Sequence, residues 1–302
     1  LIYLSLWCVI IALQRQQVLT TELKMANLVL RTCEADMTSY GGFKWPTSGY
    51  VEAPDWMPTR DCGNGLHGWL HGHGDGEASS YWDSDCNWLV VSIPSGELID
   101  LNGKVKFKCG EVVFCGDRKS AIDYLLANDQ IASTAPIVGA MITVGSYKVG
   151  YGGHRSVVHS GNYGVSRGEE LSTVKSGVGG VSISSASGVS DSGINGYAIS
   201  GNRGTSTCGD YGTAISGYLG TSTSGFQGTS TSGSCGTAIS GNYGTSFVGE
   251  DGHAASGEQG TIIIRYWNGT SFVVKVGYIG KDGLLANELY RLDKRSHNFV
   301  RV

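Results

Sequence analysis

The sequence predicts a mainly β protein: a glycine-rich octapeptide β-solenoid with two octads per coil, preceded by a small α+β domain and closed by a β cap. Three observations carry this. An eight-residue beat runs without a break from Gly201, through GNRGTSTC, GDYGTAIS, GYLGTSTS, GFQGTSTS, GSCGTAIS and GNYGTSFV. The same phase extends over fourteen octads, from Gly153 to Ile264. Ahead of the beat, short β-branched runs and one helical pattern alternate with turns, and after it the chain closes on an Asn-Gly hairpin signal.

Within each octad, position 1 is Gly except at Glu169 and Ser185, and position 4 is Gly except at Ser156 and Ser172. Two glycines three apart mark a turn, where positive φ is cheap for Gly, and the variable pair between them faces water. Positions 5 to 8 are then a short strand. Its inner side follows from alternation, because position 7 carries His159, Arg167, Lys175 and Asp191, which a narrow coil would not bury unpaired. Position 6 holds only Val, Ser, Ala and Ile, and position 8 is nearly always Ser, so these two line the interior. Inner serines can hydrogen-bond between coils in a core too thin for large side chains.

With sixteen residues per coil, odd and even octads occupy opposite faces. The even face carries Ile183, Ile199, Ile215, Phe247 and Ile263 at position 7, interrupted by Thr231. Seven coils spaced at about 4.8 Å make a rod of roughly 34 Å, and an apolar ladder of that length is expected to be covered by a second copy in a homodimer, by the N-terminal region or by a partner, the homodimer being favoured.

Before the octads, residues 25–130 read as the α+β module. Strands are expected at Leu28–Leu30, Trp88–Ile93, Val105–Phe107 and Val112–Phe114, the last two joined as a hairpin across Cys109-Gly110. Ser120 is the expected N-cap of a helix over Ala121–Asn128, with Ile122, Leu125 and Leu126 on one face. Residues 131–152 link this module to the solenoid at 153–264, and residues 265–302 form the cap around Asn268-Gly269. The apolar stretch at 1–13 is short for a membrane span and lacks a basic flank, which favours Met25 as the natural start and residues 1–24 as upstream or targeting sequence. On that reading neither secretion nor membrane attachment has support, and a cytoplasmic or virion-associated location is favoured.

Charged residues are 16% of the chain and the net charge is −4, so composition does not point to nucleic acid. Eight cysteines show no disulfide framework and no CxxC pair. One segment concentrates chemistry. Between Asp61 and Asp75 lie one thiol, three imidazoles and two carboxylates, so Cys62, His67, His71 and His73 could hold Zn²⁺, although the spacing matches no established zinc pattern and a plain glycine-rich turn is the simpler reading. Arg31 at the end of the first strand and Glu111 at the start of a late one are arranged loosely as in ADP-ribosyltransferase-like folds. That resemblance implies a nucleotide-using enzyme, whereas the composition and repeats favour a non-enzymatic structural or binding protein without a cofactor.

LVLRTCEADMTSYGGFKWP, CGNGLHG, WLVVSI and GKVKF, followed by the octads and the closing YWNG to ELYRL segment, resemble an uncharacterised family of phage and bacterial proteins with a Cys-x-x-Gly-(Leu or Phe)-His module. The resemblance implies the architecture and no established activity. The octads are also similar to those of bacterial ice-nucleation proteins, whose ice-binding rows are Thr-x-Thr in register. Here Thr-x-Thr occurs at Thr205/Thr207 and Thr221/Thr223 on odd octads and at Thr229/Thr231 on an even one. Thr213, Thr229, Thr231, Thr245 and Thr261 mark the even face as the ice-binding alternative, against ordinary β-propensity on an exposed strand.

Overall fold

The computed structural model describes residues 27–302 except Ser95 and Glu97, so the expectations for residues 1–24 and a start at Met25 lie outside the described residues. The described chain forms two compact units, divided after Val138.

In the first unit, seven strands make one antiparallel sheet: β1 (Asn27–Cys33), β2 (Gly49–Glu52), β3 (Leu66–Leu70), β4 (Asn87–Ile93), β5 (Leu98–Asp100), β6 (Val105–Phe107) and β7 (Cys109–Gly116). Their spatial order is β2-β7-β4-β1-β3-β6-β5. The central strands read as continuous apolar runs because both of their faces are buried. Val29, Cys33, Leu89, Val91 and Ile93 enter one core with Trp45, Val51, Phe107 and Val112. Leu28, Leu30, Trp88 and Val90 have the opposite parity and are also buried, on the face covered by the helix α1 (Arg118–Asn128).

Two local expectations are corrected. β6 and β7 do not form a hairpin: β6 pairs with β3 and β5, and β7 pairs with β2 and β4. Cys109 and Gly110 lie inside β7, and Gly110 passes so close to the Ser92 carbonyl that a Cβ there would sit 2.8 Å from it. The helix starts at Arg118 and is capped by Asp117, not by Ser120. Asp117 accepts from the Ser120 amide at 3.0 Å, and the Ser120 hydroxyl donates back to it at 2.7 Å. Ile122 and Leu125 are buried, whereas Leu126 is exposed, being one residue past the buried stripe.

The second unit is the solenoid. Sixteen strands, β8 (Met141–Val144) to β23 (Thr261–Trp267), alternate between two parallel sheets, eight in each. The array therefore gains one coil upstream of the octads, formed by β8 and β9 (Val149–Gly152), which pair with β10 (Val157–Ser160) and β11 (Val165–Gly168). Its beat is hidden in the sequence because Ile137, Ala140 and Lys148 occupy three of its four glycine positions. The segment 131–152 thus divides: Ala132, Ile137 and Val138 are buried with the first unit, and residues from 139 belong to the solenoid.

In every octad from Gly153 to Ile264 the residues at positions 6 and 8 are buried. The core is held by hydroxyls as much as by methyls. Ser160 and Ser166 meet across the coil at 2.9 Å, Ser200 and Ser206 at 2.8 Å, and the Ser206 hydroxyl also lies 2.6 Å from the Ile215 carbonyl. Cys208 replaces a serine and keeps the role, its Sγ lying 3.0 Å from the Thr213 carbonyl. At the corners, Asn202 accepts from the Tyr218 amide of the next coil at 3.0 Å, and Asp210 from the Phe226 amide at 2.8 Å.

The glycine expectation is overturned in an instructive way. Positive φ falls on position 3, at Arg203 (+57°), Tyr211 (+58°) and Leu219 (+56°), not on the glycines at positions 1 and 4. Those glycines answer to space. A Cβ on Gly201 would lie 2.7 Å from the Ala186 amide, and one on Gly220 would lie 2.7 Å from Ser216 Cβ and 2.9 Å from the Gly204 carbonyl.

β24 (Phe272–Tyr278) folds back on β23, and Asn268 Oδ1 accepts from the Thr270 and Ser271 amides, both at 2.9 Å. β25 (Tyr290–Leu292) pairs with β22 (His253–Ser256), and β26 (Phe299–Arg301) pairs with β25. Ile279, Leu284 and Tyr290 close the core over Ile262 and Ile264, so the last coil is capped.

Candidate functional site

Two features stand out, one in each unit. The first is a cleft of about 740 Å³ in the N-terminal sheet, lined among others by Arg31, Trp45, His67, Ser79, Tyr81 and Lys104. Arg31 projects from β1 and packs under Trp45, with Cζ 4.0 Å from the ring centroid. Its Nε and Nη1 donate to the Thr32 and His67 carbonyls, both at 3.2 Å. Among the described residues no carboxylate pairs with it, and burial pulls its pKa down to about 10. His67 on β3 is pushed down to about 4, by burial first and then by Lys104, Arg31 and Lys106, so its ring is neutral near pH 7. Its Nε2 is buried without a hydrogen-bond partner among the described residues. The Thr32 and Ser79 hydroxyls meet at 2.7 Å, and Lys104 Nζ lies 3.2 Å from Cys62 Sγ.

The four suggested zinc ligands are not brought together. β3 ends at Leu70, and the chain turns away through His71, whose φ is +55°. His71 Nδ1 sits 2.6 Å from Asp129 Oδ2, and His73 Nε2 sits 3.0 Å from the Ala132 carbonyl, while Cys62 and His67 line the cleft. Among the described residues no group of three or more His, Cys, Asp or Glu could hold a metal ion. The Arg31 and Glu111 pairing also fails. Glu111 pairs with Ser92, which pairs with Leu28, and Leu28 is three residues from Arg31, so the two side chains leave opposite faces of the sheet.

The second feature is the pair of solenoid faces. On the even face Ile183, Ile199, Ile215, Thr231, Phe247 and Ile263 stand in unbroken register, and Ile263 then opposes Val276 of β24. Beside them runs a second row, Thr213, Thr229, Thr245 and Thr261. All are partly or fully exposed. On the odd face Thr205/Thr207 stacks on Thr221/Thr223, and the next rung is Thr237/Ile239. The row of hydroxyls and methyls repeats with the strand spacing, about 4.8 Å.

Residues 27–126 match a domain of unknown function, DUF7666. The repeats are similar to those of ice nucleation proteins. The chain is 44% identical over 103 residues to the ice nucleation protein of Pseudomonas fluorescens, covering 33% of this chain and 8% of that protein. It is 34% identical over 130 residues to that of Enterobacter agglomerans (39% and 10%), and 36% identical over 111 residues to ice nucleation protein InaU of Pantoea ananas (35% and 11%). The chain thus spans about a tenth of the length of these curated relatives. No solved structure matches it. Among the described residues no helix is long and apolar enough to cross a membrane. This is a structural repeat protein with ice-nucleation-like octads behind a small β-rich domain.

Proposed function

We propose that the solenoid acts without catalysis as a template for ordered water, through its even face. The observation that carries this reading is the register of Thr213, Thr229, Thr245 and Thr261 beside Ile215, Thr231, Phe247 and Ile263, held in line by parallel pairing. Such a surface offers hydroxyls at a fixed repeat, with methyl groups between them that cannot compete for the same water. The likeness to proteins named for ice nucleation supports it. Only a few rungs carry Thr, so the surface is small, and the expected activity is adsorption to existing ice rather than strong nucleation.

The test is ice-crystal growth and thermal hysteresis with the full chain, beside a variant in which Thr213, Thr229 and Thr245 are changed to Tyr. Crystal faceting or a freezing gap that disappears in a variant with unchanged circular dichroism supports the proposal. A wild-type protein with no effect on crystal habit refutes it.

A second reading, self-association through the same face, rests on a separate observation. The apolar ladder continues into β24, where Phe272, Val274, Val276 and Tyr278 are all exposed. Ice adsorption needs this face free, and association covers it, so light scattering separates the two.

A further inference from the structure

The cleft of the N-terminal unit belongs to neither reading, and its chemistry is specific. Its floor is a guanidinium that is held from behind and pairs with no carboxylate among the described residues, and Asp55 is the one acidic residue lining the cleft. Two backbone carbonyls and the Trp45 ring fix Arg31 in one orientation. Arg31 is partly buried, and a cation shielded from water without a partner anion is costly to keep, which is the setting in which an anion is received. Arginine is also the side chain whose planar fork receives a carboxylate or phosphate through two parallel bonds. Lys104 adds a second cation at the same cleft, and the remaining walls include Phe43, Trp69 and Tyr81. A space of about 740 Å³ lies in the range of small-molecule sites.

We propose that this cleft binds a small ligand bearing one anionic group, received by Arg31 and Lys104, on a flat aromatic body that lies against the aromatic walls. The orphaned Nε2 of His67, which also lines the cleft, agrees with this, because a buried polar nitrogen without a partner among the described residues marks a position that a ligand or an ordered water completes. The His67 ring stays neutral near pH 7, so it adds no third positive charge and can accept or donate a hydrogen bond. No covalent step is implied. The residues that build the site, Arg31, Trp45, His67, Ser79 and Lys104, all lie within the segment that matches the domain of unknown function.

Calorimetry on the full chain tests this with matched probes: phenyl phosphate and benzoate against uncharged benzyl alcohol, and adenosine 5′-monophosphate against adenosine. At least one anion is expected to bind with Kd below about 1 mM, and its neutral counterpart about tenfold more weakly or worse. The phosphate and carboxylate arms show which anion the fork prefers. Arg31→Lys keeps the charge but loses the fork, and should weaken binding by about tenfold. Because that position is partly buried, Lys104→Ala provides an independent test that does not disturb the core, with a severalfold loss and a flatter salt dependence expected. Neutral rings that bind as well as the anions, anion binding untouched by both variants, or no binding by any probe at about 10 mM would each overturn the proposal.

Discussion

The two adjacent residues Arg203 and Gly204 separate two explanations of why the octads are rich in glycine. If the glycines were there for backbone freedom, position 4 would need positive φ. The structure instead puts +57° on Arg203 and leaves Gly204 in an ordinary conformation. A Cβ on Gly204 would stand 2.6 Å from Ser200 Cβ, 2.7 Å from Ser200 Oγ and 2.9 Å from the Gly188 carbonyl. Carbon contacts normally settle at about 3.5–4.0 Å, so the overlap is close to an ångström, and two of its sources are a buried side chain and the backbone of the neighbouring coil. Overpacking of this kind costs about 1–3 kcal/mol, and the immobile neighbours place Gly204→Ala at the upper end. Arg203→Gly removes a left-handed strain of about 1–2 kcal/mol and adds a glycine entropy cost of about 0.5–1 kcal/mol, for a net change near zero or slightly stabilising. Urea unfolding of both variants, followed by far-ultraviolet circular dichroism, should therefore separate them by about 2–3 kcal/mol. Arg203→Gly as destabilising as Gly204→Ala, or a freely tolerated Gly204→Ala, would refute the steric explanation.

Three further outcomes can be checked. His67 has a folded pKa of about 4 against an ordinary value of 6.5. The unfolded chain therefore takes up a proton first, and stability is lost as pH falls from 6.5 towards 4. Partial exposure limits the loss to about 1–2 kcal/mol, and His67→Gln should flatten that stretch of the stability-versus-pH curve. Removing the helix cap with Asp117→Ala should cost about 1 kcal/mol, read as a lowered melting temperature of the first unit, while Ser120→Ala alone should cost less. If the even face joins two copies, light scattering will show a wild-type dimer, which Ile199→Lys with Ile215→Lys turns into a folded monomer; a wild-type monomer excludes that use of the ladder.

Much of the solenoid was legible because repetition supplies many independent readings of one local structure. The charged residues at position 7 settled which side faces water, and Ser206, Ser222 and Ser230 are fully buried as that argument requires. The first coil was not legible, since Ile137, Ala140 and Lys148 break the glycine phase, and at its inner positions Gly150 and Gly152 lie against Val158 and Ser156. In the first unit, short apolar runs identified strands but not their partners. Val105–Phe107 and Val112–Phe114 are close in sequence, yet other strands supply their neighbours. The histidines between Asp61 and Asp75 shared a segment without sharing a site, because the turn at His71 sends two of them towards Asp129 and Ala132.

The sequence by itself determined the coil, its two faces, its inner serines and its closing hairpin, because each depends on periods of two, eight and sixteen residues that local sterics and burial impose. Only the tertiary structure decided that position 3 carries the left-handed turn, that glycine is demanded by the coil above, and that Arg31, Trp45, His67 and Lys104 share one cleft. Those facts arise where segments distant in sequence come within van der Waals reach, and no local pattern records that distance.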